Sequence, residues 1–133
     1  LLVRPGEETL ATIDIGCIDL YTGKTEFLKA GAAPSFVCRD GKVSEISGSS
    51  LPAGIIQGIR YERRTLRLRE GDVIVMMSDG ALSIAGDWIR EELALAADQP
   101  AQKIADRLAN LALRGTHSHP DDITVMAAKI MRA

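Results

Sequence analysis

The chain has 133 residues, 46% hydrophobic and 26% charged, the composition of one ordinary globular domain. Sixteen basic residues against eighteen acidic leave a formal charge of −2, so no general attraction to nucleic acid or to an anionic membrane is expected. No apolar run approaches the ~20 residues that span a bilayer, and Leu1-Leu2-Val3-Arg4-Pro5-Gly6 lacks the layout of a signal peptide.

In chain order, Leu10 to Leu20 is strand-like, Tyr21-Thr22-Gly23-Lys24 turns it, and Thr25 to Lys29 completes a hairpin. Gly31-Ala32-Ala33-Pro34 interrupts. Ser35-Phe36-Val37-Cys38 then pairs through Arg39-Asp40-Gly41-Lys42 with Val43 to Ile46 as a second hairpin, and Ser47-Gly48-Ser49-Ser50 is a loop by composition. Leu51-Pro52-Ala53-Gly54-Ile55 carries too much proline and glycine for a regular element, whereas Ile59 to Leu68 alternates as an edge or one-sided strand. Its arginines, with Arg60, Arg63, Arg64, Arg67 and Arg69 interrupted by Glu62 and Glu70, suit a solvated face better than a dock for an acidic or phosphorylated partner. Glu70-Gly71-Asp72 leads into the apolar run Val73 to Met77. Asp87 is placed to cap a helix from Trp88 to Ala97, and Pro100 suits the first turn of a second, with Ile104, Ala105, Leu108, Leu111 and Ala112 on one face and Gly115 at its end. A last strand runs from Ile123 to about Ile130. Strands, two adjacent helices and one strand predict a layered α+β fold rather than strict βα alternation. Cys17 and Cys38 follow neither a CxxC nor a zinc spacing and are expected to be reduced, packed thiols; the four methionines are expected in the core.

Two acidic segments sit at the ends of apolar strands: Ser78-Asp79-Gly80 after Val73 to Met77, and Asp121-Asp122 before Ile123-Thr124-Val125-Met126. If those strands neighbour one another, Asp79 and Asp121 converge on one hard divalent cation, since oxygen ligands select magnesium, manganese or calcium. Taken singly, Ser78-Asp79-Gly80 reads more readily as a turn and Asp121-Asp122 as a polar loop than either does as a metal site. Ser78 can orient Asp79 or cap the turn, Gly80 leaves room beside the carboxylate, and Asp122 can hold the loop by accepting backbone or Thr124 hydrogen bonds. His117 and His119 are close in sequence, but a histidine pair in such a loop is usually solvated. Nucleophile-elbow, Walker, dinucleotide-fingerprint and HExxH motifs are all absent from the sequence.

Ile18-Asp19-Leu20-Tyr21-Thr22-Gly23, Glu26 through Phe36, Leu51-Pro52-Ala53-Gly54-Ile55, Met77-Ser78-Asp79-Gly80 and Asp121-Asp122-Ile123-Thr124-Val125, in that order, resemble the phosphatase domain of the stage II sporulation protein E family. That family lies within the metal-dependent PPM class of serine/threonine phosphatases, and the likeness runs from about Leu10 to Ile130. It implies a PPM-type β-sandwich flanked by helices and a two-metal manganese or magnesium site. By motif Asp79 and Asp121 are metal ligands, with Ser78, Gly80, Asp122 and Thr124 around them, and no catalytic group beyond the ligands is implied. Metal-activated water would attack phosphorus in line. The implied substrate is a phosphoserine on an anti-sigma factor antagonist during sporulation. The implied parent protein is membrane-anchored, with this domain on the cytoplasmic side.

The family's early Asp-Gly motif has no counterpart in the sequence, and the chain begins at Leu1 rather than Met. The expectation is therefore a C-terminal portion, residues 1–133, of a single phosphatase domain truncated on its N-terminal side. Such a piece should be nearly silent and prone to homo-oligomerise through an edge strand or open face. A non-catalytic module that binds a phosphorylated or acidic partner, and a calcium-stabilised structural domain, are the alternatives.

Overall fold

The computed structural model describes residues 10–48, 61–82, 87–115 and 121–133. They form β1 (Ile13–Ile18), β2 (Lys24–Ala30), β3 (Ser35–Arg39), β4 (Lys42–Ile46), β5 (Glu62–Arg67), β6 (Val73–Met77), a 3₁₀ turn (Asp79–Leu82), α1 (Trp88–Ala96), α2 (Ala101–Gly115) and β7 (Val125–Lys129). The strands make two antiparallel sheets, ordered β1-β2-β5 and β4-β3-β6-β7, and each sheet belongs to its own compact unit. Predicted elements and observed ones agree in order and type. The predicted segments at residues 51–55 and His117 and His119 lie outside the described residues.

In the first unit, β1 turns into β2 because the Asp19 carboxylate accepts the Tyr21 and Thr22 amides at 2.9 and 3.2 Å and Gly23 takes φ 72°. Thr25, Phe27 and Lys29 alternate along β2 and are buried. Lys29 meets the carboxylate of its cross-strand partner Asp14 at 2.7 Å, which neutralises an ammonium that is only 1% exposed. The edge strand β5 turns Arg63, Arg64 and Arg67 to solvent, as its charge pattern predicts. Cys17, expected to be packed, is exposed: it lies on the other face of β1 from Asp14, while Cys38 is buried as expected.

In the second unit, the β3–β4 hairpin closes on Asp40-Gly41, both at positive φ (50° and 76°), the pairing that matches strand twist. The β-branched run of β6 lies between β3 and β7 and is buried along most of its length. Val73, Val75 and Met77 share one face with Phe36 and Cys38. Against that face pack Ile89, Leu93 and Ala96 of α1 and Ile104, Leu108 and Ala112 of α2. Complete burial of Leu93 and Leu108 contributes about 1.5–3 kcal/mol each. Leu111, predicted on the buried face of α2, is half-buried. Met126 and Met131 are 55% and 77% exposed rather than in the core, because Met126 lies on the opposite face of β7 from Val125 and Ala127 and Met131 lies beyond the strand.

Helix α1 starts after Asp87 as predicted, but the Asp87 side chain makes no capping hydrogen bond; it faces Arg90 at 3.5 Å. Its C-terminal end is held by Lys129 of β7, whose Nζ donates to the carbonyls of Ala97, Asp98 and Gln99 at 3.0, 3.0 and 3.3 Å. Lys129→Met keeps the stem and removes the ammonium, and is expected to cost about 1–2 kcal/mol in denaturant unfolding. A loss below a few tenths would show the cap to be unimportant.

Asp72, at the entrance to β6, is 1% exposed. It accepts Arg39 Nε at 2.9 Å and the Arg69 amide at 2.9 Å. Burial works to raise its pKa, but the Arg39 hydrogen bonds, the Arg69 amide and the two guanidinium charges outweigh burial and hold the carboxyl below its ordinary value. Among the described residues no helix is long and apolar enough to cross a membrane.

Candidate metal centre

The register of β6 and β7 pairs Met77 with Val125, which brings Ser78 opposite Thr124 just past the ladder. Ser78 N donates to the Thr124 carbonyl at 3.0 Å, Thr124 N donates to Ser78 Oγ at 2.9 Å, and Ser78 Oγ donates to the Asp122 carbonyl at 3.0 Å. One hydroxyl thus accepts and donates at once, and it pins residues 122 to 124 against the start of the Asp79–Leu82 turn. The two acidic segments predicted from sequence are therefore adjacent at one end of the second sheet.

Gly80 closes the arrangement. A Cβ there would stand 2.6 Å from the Asp122 carbonyl oxygen, 3.1 Å from that of Asp121 and 3.2 Å from Asp121 Cβ, so only a glycine lets the second segment lie directly over the first. Its amide donates to Asp79 Oδ1 at 3.0 Å, fixing one carboxylate oxygen. Asp79, Asp121 and Asp122 are all exposed, so their carboxylates reach water. Gly80→Ala is expected to push the segments apart and cost about 1–3 kcal/mol, as overpacking against backbone does. A melting temperature unchanged from the parent would contradict that close approach.

The donor set suits a hard divalent cation: carboxylate oxygens from two segments, at a place where backbone approach has been made as close as glycine allows. Among the described residues no group of three or more His, Cys, Asp or Glu forms a ligand cluster. The segments that carry Asp79 and Asp121 are adjacent, with Gly80 between them. The support works differently from expectation at two positions. Asp122 joins through its main-chain carbonyl, not its carboxylate, and Thr124 through its amide and carbonyl. Ser78 caps and bridges, while Asp79 is oriented by Gly80.

Beyond the other end of the 3₁₀ turn lies a half-open cavity of about 160 Å³. Phe36, Leu82, Trp88 and Ile89 give it apolar walls, and its rim carries Glu45, Asp87 and Arg90. Sequence reading passed over it. The signal was a lone tryptophan at a helix start with Pro34-Ser35-Phe36 on a neighbouring strand.

The model of the stage II sporulation protein E (SpoIIE) family matches residues 2–131. The chain is 32% identical to stage II sporulation protein E of Bacillus subtilis over 98% of its own length, and it spans 17% of that protein. The solved phosphatase domain of the cell fate determinant SpoIIE from Bacillus subtilis, presoaked with manganese, superimposes with a TM-score of 0.76 at 32% identity, over 92% of this chain and 57% of that one. A structure of the PP2C phosphatase domain with a fragment of the regulatory domain of the same protein gives a TM-score of 0.81 at 31% identity, over 97% of this chain and 40% of that one. The α+β fold described above is thus the fold of those phosphatase domains. On sequence and structure together, the chain belongs to the stage II sporulation protein E family.

Proposed function

We propose that the chain contributes the Asp79 and Asp121 ligands of a metal-dependent protein serine/threonine phosphatase. The observation that carries this reading is the seating of Asp121 and Asp122 over Gly80, which gathers two acidic strand ends at one exposed point. Asp79 and Asp121 would hold manganese or magnesium, which supplies an activated water and offsets charge on the phosphoryl oxygens. The protein's own part is positional. The Gly80 amide orients the Asp79 carboxylate, the Ser78 hydroxyl holds the 122–124 backbone, and a phosphoserine side chain can reach the exposed carboxylates from solvent.

The substrate in this reading is a phosphoserine on an anti-sigma factor antagonist, and the parent protein stands at the cytoplasmic face of a bacterial membrane. Family membership and the likeness to the solved SpoIIE phosphatase domain support both. Two carboxylates leave a divalent ion short of its six ligands, so the chain by itself is expected to bind metal weakly and turn over slowly. The test is phosphate release from such a phosphoprotein with manganese, magnesium or calcium, by the chain alone and within its whole parent protein. Hydrolysis by the parent with manganese and none with calcium is expected. Equal activity with calcium, or none with any metal, would remove the reading.

A further inference from the structure

We propose that the cavity beside Leu82 receives an apolar side chain of the phosphoprotein, two to four residues from the phosphoserine. The proposal rests on the phosphatase reading and adds a specificity pocket to it. Its first support is continuity: the Asp79–Leu82 turn carries the acidic site on its first residue and a cavity wall on its last. A 3₁₀ turn rises about 2.0 Å per residue, so the two lie about 6 Å apart along its axis. An extended peptide advances about 3.3 Å per residue, so the cavity wall lies about two residues along such a peptide from the phosphoserine, and a longer path to the cavity extends this to three or four.

The second support is the chemistry of the lining. Phe36 and Ile89 are held by the core, so the walls are preformed. The rim charges are already engaged with one another. Arg90 donates to the Val43 carbonyl at 3.1 Å and to Glu45 at 2.9 Å, approaches Asp87 at 3.5 Å, and lies over the Phe36 ring at 5.9 Å from its centroid. Two carboxylates against one guanidinium leave the rim slightly acidic, which disfavours an acidic occupant. An uncharged aliphatic side chain of leucine or methionine size fits both the walls and the volume.

The test measures fluorescence anisotropy of phosphoserine peptides binding to the chain at a manganese concentration high enough to fill its weak site, with leucine, methionine, alanine or glutamate placed in turn two, three and four residues from the phosphoserine. At one of those positions leucine or methionine should bind about tenfold tighter than alanine, and glutamate weaker than alanine. Leu82→Trp, or the milder Leu82→Phe, should erase the preference while alanine peptides bind as they do to the parent, which also shows the variants to be folded. Uniform affinity across the series, a preference that survives both fillings, or no binding of any peptide would overturn the proposal. Equal binding of phosphorylated and unphosphorylated leucine peptides would instead strike the phosphatase reading beneath it, and the proposal as stated with it.

Discussion

Within the whole parent protein, Asp79→Asn and Asp121→Asn are each expected to weaken manganese binding by at least about 100-fold, because groups that only support a ligand already cost 10–100-fold when lost. The change keeps side-chain shape and removes a unit of charge from a hard oxygen donor, so the fold should be little disturbed. Both carboxylates are exposed, which argues the same way: neither anchors the core. Asp122→Asn is the internal control. Its carbonyl, not its carboxylate, is what Ser78 engages, so its loss should stay under about tenfold. If Asp79 and Asp121 serve the same ion, the double variant should lose far less than the product of the single losses. Calorimetric titration with manganese reads all four. Parent-like affinity in Asp121→Asn would dismantle the shared site.

Asp72→Asn is expected to destabilise the chain by about 3 kcal/mol, at the low end of the 3–5 kcal/mol for breaking a buried ion pair. The low end applies because 38% of the Arg39 side chain is exposed and can rehydrate, whereas Asp72 is nearly sealed. Asparagine keeps one acceptor oxygen where Arg39 and the Arg69 amide had shared two, so one of those donors loses its partner where β6 begins. The same residue sets a pH dependence. Its folded pKa lies below the ordinary value, so its contribution is complete above the unfolded carboxylate pKa of about 3.9 and is lost as pH falls through the lower folded value. The stability gap between parent and variant should be constant from neutrality to about pH 5 and shrink below pH 4. A gap that widened in acid would reverse the sign and sink the assignment.

Much of this was legible because local chemistry and long-range structure agree. Asp40-Gly41 between two apolar runs specifies a tight hairpin whatever surrounds it, and Val73 to Met77 is too apolar to lie anywhere but in the middle of a sheet. That the Asp79 and Asp121 segments meet was legible only as a conditional, since the pairing of β6 with β7 cannot be read from either strand; the Ser78–Asp122 contact, 44 residues apart in sequence, meets the condition. Gly80 was legible for a different reason from the main one. A glycine after an aspartate leaves room beside the carboxylate, yet what occupies that room is the Asp121–Asp122 backbone, which the Asp79 segment alone does not reveal. Asp87 stands at the right position for a cap but is drawn to Arg90, a competition that spacing does not reveal. Met126 follows strand periodicity correctly. Its exposure comes from lying on the opposite face of β7 from Val125 and Ala127, which pack toward the helices, on a strand with no further neighbour among the described residues.

The last strand is fastened at both extremities. At its start the Ser78 hydroxyl clips the Asp122–Thr124 backbone; at its finish Lys129 grips the terminus of α1, Gly71 N donates to the Ile130 carbonyl at 2.8 Å and Ile130 N donates to that of Asp72 at 2.9 Å. A strand tethered so cannot slip by one residue to turn Val125 and Ala127 outward, nor by two to keep its pattern, without releasing both moorings together. Its amides should therefore exchange with solvent as a single cooperative block, and the acidic residues at its head inherit that rigidity from anchors a whole strand away.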